Sequence, residues 1–513
     1  MRALSASVVL SSITLGGWLA GAAAQNVDMG TQPALNSASG EPAGSSENLP
    51  PGVIPQPSVD SPGVVTGVTL GELYTDNLML AASGKPKQTS WITEIQPFIK
   101  SAYSGPRFSG VLDYTLTGYL YKGQSHHNQL AQNLDTHGTL TLLPQHFFLD
   151  GSALYGREVI NSELPAGSGT FFLDGNRANV ARATLSPYWI QDLGNVATAT
   201  LRYSYGRVLY DTKGIAAQNN DLLAGISDIT SNALQFDLVS PQYERWSWNL
   251  GYSDQRIEFD SGRNSRFAIA RLGAAVHIHD NASLLVDVGR ENKFLADGTA
   301  DRLGASFWDA GVEWSSTLNN LKVLVGHRFY GRSYQLSWTR AAALLTTVVS
   351  YVEQPTDLNQ QLLGQGVDVT PPPGFPVTPS LREQQVYLMK RATASAAYEM
   401  PKGRLQVTLY DERRTYFLLN SGQEKVANAD VTWLFNIGAS TTLTPTYGWQ
   451  RYQHQDGQTN YSQYAQLALV HQLDPKNFAS LRLRRDSRNV HTGSPGAHGY
   501  GANVIFLQFT HLF

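Results

Sequence analysis

Two histidine pairs, a run of four charges and a scatter of alternating carboxylates and arginines are the residues of this chain best equipped for chemistry. His126 and His127 lie in SHHN, and His277 and His279 in HIH. The first pair has no carboxylate near it, and the second sits on one parity at a turn. Neither repeats the spacing of a metal site, so no metal is expected. The chain has no cysteine, which removes thiolate ligands and disulfides together. No G-x-S-x-G, H-E-x-x-H or phosphate-binding loop occurs, so neither catalysis nor a cofactor is expected. The charges of DERR, Asp411 to Arg414, read as a strand end passing into an outer connection, where neighbouring ions pair weakly.

The remaining charges make sense only on strands. In SFWDAGVEW, Trp308, Ala310, Val312 and Trp314 alternate with Asp309, Gly311 and Glu313; WSWNLGY alternates Trp246, Trp248, Leu250 and Tyr252 with Ser247, Asn249 and Gly251. LTPTYGWQ and SLRLRR repeat the pattern, the latter setting Leu481 and Leu483 against Arg482 and Arg484. Alternation at period two is the mark of a strand with one apolar face.

Connection lengths decide what kind of sheet this is. Short links such as SGPR (104–107), DLGN (192–195), MPKG (400–403) and LDPKN (473–477) alternate with longer polar ones, among them FYGRS and the stretches 157–177, 211–229 and 355–382. A soluble sandwich has no reason to sort its loops this way, whereas an outer-membrane barrel joins strands by tight periplasmic turns and long outer loops. The expected fold is all-β: a transmembrane antiparallel up-and-down β-barrel of about 22 strands with both termini periplasmic.

With the apolar parity toward lipid, Asp113, Asp237, Asn249, Asp287, Asp309, Glu313, Asp430, Arg202, Arg482 and Arg484 face the lumen. Asp287, Asp309 and Glu313, on consecutive strands, form an acidic patch in this reading, and Arg482 and Arg484 a basic one across the bore. These are either solvated, paired wall charges or a lining that orders permeating ions or sugars. Trp246, Trp248, Trp308, Trp314, Trp433 and Trp449 face outward as interfacial girdles rather than inward as a sugar track.

The chain starts with a basic Arg2, an apolar stretch to about Leu19 and Ala22-Ala23-Ala24, which together read as a secretory signal (1–24) cleaved before Gln25. Residues 25–63 read as a disordered Pro/Ser/Gly-rich periplasmic leader, and 64–513 as the barrel. The last strand ends on Phe513, with Ile505, Leu507 and Phe509 on the same parity and His511 where an aromatic is usual. This alternation is similar to the signal recognised by the barrel-assembly machinery. A net charge of −3 gives no reason to expect nucleic acid as a partner.

The stretch from Val64 to about Tyr121, with Tyr74-Thr75-Asp76-Asn77 followed by a polar loop and an LDY strand, resembles the outer-membrane β-barrel family associated with PEP-CTERM/exosortase systems and exopolysaccharide gene clusters. The resemblance runs to Phe513 and weakens in the outer loops. It implies an integral barrel of the Gram-negative outer membrane, in contact with lipid and lipopolysaccharide and working beside polysaccharide-export components. It defines no catalytic residue. The expected function is a channel or scaffold for exopolysaccharide export or surface assembly; the alternative is a non-conducting adhesion or glycan-binding barrel. A plugged energy-coupled receptor is less favoured, because a folded plug needs about 100 residues and the leader is much shorter. The connection holding Pro371 to Pro376 is then the segment best placed to fold inward and narrow the bore.

Overall fold

The computed structural model describes residues 57–123, 125–211, 226–241, 245–262, 264–295, 300–363, 385–417, 422–491 and 497–513. The signal, most of the leader and Pro371–Pro376 lie outside the described residues. The chain forms 22 antiparallel strands, from β1 (Gly63–Thr75) to β22 (Tyr500–Leu512). Each strand pairs with the next, and β1 pairs with β22 through Gly67↔Leu512 to Thr75↔Val504, so the sheet closes on itself. Before β1, Ser58 and Ser61 form an isolated bridge, so the end of the stretch read as leader is turned at the mouth of the barrel.

Period two explains the surfaces. Leu250, Leu272, Val286, Val312, Leu409 and Leu467 are exposed on the outer face, while their sequence neighbours turn inward. Trp246, Trp308, Trp314 and Trp433 share that outer face. A closed ring of paired strands with an apolar exterior leaves no terminal edge in lipid, which makes the molecule an integral barrel of the Gram-negative outer membrane. At closure, Ile505, Leu507, Phe509 and Phe513 point outward and exposed. The Phe513 amide donates to Thr66 O (3.0 Å), and His511 meets the Phe513 ring edge-on at 5.3 Å, so the histidine serves as the missing aromatic.

The Tyr74–Asn77 motif acts as a staple. Asp76 accepts from the amide and side chain of Asn503 (both 2.7 Å), and Asn77 caps Ala81 N (2.8 Å) while donating to Gly501 O (3.1 Å). It fixes the outer end of β1 to β22.

The expected alternation is not strict: the 260–263 link is shorter than the 240–245 link before it, and FYGRS departs furthest. In place of the longer polar connection expected at FYGRS, β13 (Asn319–Arg328) and β14 (Gly331–Ala341) join through Phe329 and Tyr330 alone, with Gly331 at φ 112° supplying the reversal. The two aromatic rings explain the tightness, because Phe329 is drawn inward onto Phe294 and Phe417.

Candidate functional site

Among the described residues, two outer connections fold into the bore, and Leu78 and Leu80 of the link after β1 pack with the first. The first joins β5 (Phe147–Val159) to β6 (Arg177–Asp192). Its base is clamped by Asn161 and Asn176: the Asn161 amide donates to Asn176 Oδ1 (2.9 Å), and Asn176 Nδ2 donates to Asn161 O (2.7 Å). Its tip buries Phe171 and Phe172 against Tyr119 and Tyr121 of β3 (Phe108–Tyr121), Leu73 of β1 and Phe506 of β22. Tyr121 Oη donates to Phe171 O (2.6 Å). Its near limb is held from beyond the β1–β22 closure. Arg488 donates to the carbonyls of Glu163 and Leu164, Tyr500 Oη to Ala166 O (2.7 Å), and Ser168 Oγ to Asp486 (2.8 Å).

The second is the connection leaving β15 (Leu345–Thr356). Its first turn is a short helix, α1 (Leu358–Leu362), capped by Asp357, whose carboxylate accepts from Gln360 N at 2.9 Å. Leu358, Leu362 and Leu363 pack on Val180, Val208, Ile229, Ile257 and Phe259 of the far wall, and Gln360 donates to Gln255 (2.7 Å). Three buried leucines contribute about 1.5–3 kcal/mol each to holding this turn in place. The inward folding expected of this connection thus occurs in its first residues.

Burial and the approach of Arg488 hold His454 at about 3, far below the usual histidine value; Asp456 opposes them and Arg414 adds to them. The neutral ring accepts from Asn460 (2.7 Å), next to the Gln458 and Asn460 side chains that donate to Glu163 O and Ser162 O. Burial pushes Asp357 up to about 6, against the pull of the Gln360 and Asn359 hydrogen bonds. The signs are opposite. His454 is titratable only once released, so its contribution to docking is present above about 6.5 and is lost as pH falls toward 3. Asp357 resists ionisation when docked, so docking of α1 strengthens as pH falls through 6. Acidification from about pH 7 to about pH 4.5 should therefore lower amide protection in 160–176 and raise it in 357–363, after correction for intrinsic exchange. His454→Gln should abolish the first change only; protection of 160–176 that ignores pH would refute the assignment.

The lumen-facing positions fall into three groups. Asp287 of β11 (Ala282–Phe294) and Asp309 of β12 (Ala300–Ser315) are directly opposed, with Glu313 four residues along β12 from Asp309 on the same face. They are not a bare acidic patch. Arg328 bridges Asp309 (2.8 Å) and Glu291 (2.7 Å) while lying over the Phe307 ring at 4.2 Å, and Lys322 is the register partner of Glu313. Arg271, Asp287, Lys322, Arg328 and Gln335 line a small hollow in this wall. With Asp237 and Glu291 the cluster sets five carboxylates against Arg271, Lys322 and Arg328. Arg482 and Arg484 are separate from it, on β21 (Asn477–His491): Arg482 stacks over Phe506 (4.0 Å), and Arg484 pairs with Asp486 (2.9 Å). Asp113 pairs with Lys100 (2.6 Å), Arg202 with Asp150 (2.7 Å), and Asp237 accepts from Gln235 (2.5 Å). Asp430 accepts from Tyr464, and Asn249 faces the lumen opposite Gly273.

The DERR reading needs correction. Asp411 and Arg413 are exposed and pair at 4.0 Å, but Glu412 and Arg414 turn inward and are completely buried. Arg391 donates to Glu412 (2.5 Å), as do Arg414 and Tyr410; Arg414 continues to Glu424 (3.0 Å) and Tyr452 (2.7 Å). The lumen is also richer in aromatic rings than expected, since Tyr119, Tyr387, Tyr410, Tyr416, Tyr452, Tyr464 and Tyr500 share the inward parity with the charges. The tryptophans point outward as anticipated. Tyr416 lies two residues from Arg414, a spacing that signals the inward ring.

The His126 and His127 rings lie 3.9 Å apart, tilted by 45°, on an exposed turn, and His277 meets Ser283 (2.8 Å). Among the described residues no group of three or more potential ligands gathers for a metal.

No family model matches the chain. No curated protein matches it either. Among solved structures it is similar to the siderophore receptor PirA from Acinetobacter baumannii, at 8% identity and TM-score 0.46, over 87% of this chain and 80% of that one. The FrpB iron transporter from Neisseria meningitidis gives 11% identity and TM-score 0.45, over 88% and 82%. A variant of the ferric enterobactin receptor from Pseudomonas aeruginosa gives 10% and 0.45, over 90% and 81%. Likeness of this degree says nothing about cargo.

Proposed function

We propose that this chain is an outer-membrane channel held shut at rest by two of its own outer connections, and that it serves exopolysaccharide export or surface assembly. The observation that carries the channel reading is the manner of closure. The 160–176 connection is tied across the bore by side chain to carbonyl hydrogen bonds, which water can replace one by one, and not by ladder bonds of the wall. The polysaccharide context comes from the resemblance of the opening stretch.

A second reading, a closed scaffold that presents glycan-binding loops, is favoured by the same filled bore. Reconstitution of the purified barrel in planar bilayers separates the two. A channel shows voltage- or acid-dependent openings, and polysaccharide of the exported kind blocks them while a ferric siderophore does not. Silence under every condition supports the scaffold, and block by the siderophore alone replaces the polysaccharide by iron uptake. In an open channel the acidic excess at the β11–β12 wall favours cations. The triple change Asp287→Asn, Asp309→Asn, Glu313→Gln leaves the cations of that wall in excess and should move the reversal potential in a salt gradient toward anion preference. An unmoved reversal potential removes these three residues from the conduction path.

A further inference from the structure

The two connections that fold inward leave from strands that have come away from a neighbour. β4 (Gln129–Leu143) and β5 pair from Leu143↔Phe147 only up to Leu134↔Tyr155, although both strands continue outward. β14 and β15 pair from Ala341↔Thr346 only up to Leu336↔Tyr351, although β14 runs on to Gly331 and β15 to Thr356. In both cases the strand that bends inward to deliver its connection gives up the outer half of one ladder. β15 keeps its other ladder, with β16 (Tyr387–Met400), through Thr356↔Tyr387.

The two seams are filled differently. At β4–β5, Arg157 spans to Gln129 (2.7 Å) and to Thr170 O of the inserted connection (3.3 Å). At β14–β15, Tyr330 Oη donates to Glu353 O (3.1 Å), and Tyr351 and Lys390 donate to Glu353 Oε1 (2.5 and 3.2 Å). Glu353 Oε2 is left buried with no partner among the described residues, on a side chain more than nine-tenths buried. Pro355, which has no amide to offer a ladder, lies in this open stretch, as expected of a strand edge. About ten residues of strand cross the hydrocarbon layer, so residues 331–335, above the periplasmic end at Ala341, belong to its outer half. A carboxylate oxygen left unpaired at that depth requires a polar partner. Lipid tails cannot supply one.

We propose that the β14–β15 seam is a lateral binding site for the hydroxyl-rich, sugar-bearing head of a lipid in the outer leaflet. The unpaired atom, Glu353 Oε2, is an acceptor, which calls for a donor-rich head; a phosphate brings acceptors and negative charge to Glu353 and fits poorly. The tail lies along the outer face, where Trp308, Val325 and Tyr334 are exposed. This site is independent of whether the bore conducts.

The absence of cysteine makes the seam directly measurable. Continuing the register past Leu336↔Tyr351 would set Ser333 opposite Gln354, while Ser337↔Ser350 lies in the intact ladder. In vesicles of phosphatidylethanolamine, S333C/Q354C should form its disulfide about tenfold more slowly than S337C/S350C, because a bridge needs the closeness of paired strands. Adding a diglucosyl diacylglycerol should slow the first pair further and leave the second unchanged; phosphatidylglycerol should do neither. In the unmodified protein, which needs no engineered pair to fold, the same glycolipid should protect the amides of 331–335 and 352–356 from exchange. Equal oxidation of the two pairs, equal protection by phosphatidylglycerol, or no response to the glycolipid would each overturn the site.

Discussion

Phe171→Ala should turn a resting-closed barrel into a leaky one. Phe171 is 1% exposed, packs face-tilted on Phe172 at 4.3 Å and edge-on to Phe506 at 5.6 Å, and its carbonyl accepts from Tyr121. Truncating a buried phenylalanine costs about 3–5 kcal/mol. The low end applies here, because the competing state is a solvated loop on an intact barrel and not an unfolded chain. About 3 kcal/mol moves the ratio of docked to released connection by roughly two decades. The strand ladders are untouched, so heat-modifiability on gels should stay that of the parent while bilayer conductance rises and protease reaches 160–176. Leu130→Ala, on the outer face, serves as the control. Parent-like conductance together with parent-like protease resistance would show that Phe171 does not hold the connection in.

The barrel was legible in the chain because two signals reinforce each other. Alternation such as Trp308-Ala310-Val312-Trp314 against Asp309-Gly311-Glu313 sets the faces, and the sorting of short and long links sets the ends. The inserted connections were harder to read, because a segment folded into a wet bore keeps the polar composition of one in solvent. What marks them is small: Phe171-Phe172-Leu173 is an apolar triplet amid polar residues, and Asp357 capping Leu358 with Leu362 and Leu363 following is a helix start with one greasy face. The inward tyrosines were hidden by the same assumption that placed the tryptophans correctly, that rings belong to lipid. Around Glu412 that fails, since Tyr410 and Tyr416 share its parity and bury beside it. The open seams leave even less trace than these. Only Pro355 and the brevity of the β13–β14 hairpin point to one of them, since pairing depends on where a strand bends and not on which residues it contains.

Arg414→Met should be the most destabilising single change in the wall, and its neighbour Arg413→Met close to neutral. Arg414 and Glu412 are completely buried, and together with Arg391 and Glu424 they form two positive and two negative charges tied by tyrosine hydroxyls. Removing one partner strands a carboxylate without replacing its solvation, at a cost of about 3–5 kcal/mol. Arg413, one residue away on the opposite face, is more than half exposed at 4.0 Å from Asp411, and loss of such a pair changes stability by less than about 0.5 kcal/mol. Urea unfolding in detergent, followed by the gel shift of the folded barrel, compares the two. The second arm identifies the cause. Arg414→Met combined with Glu424→Gln leaves Arg391 with Glu412 as a matched pair and should recover most of the lost stability, whereas a loss caused by packing alone would persist in the double variant. If Arg414→Met unfolds at the denaturant concentration of the parent, the four charges are solvated in the bore and do not brace the wall.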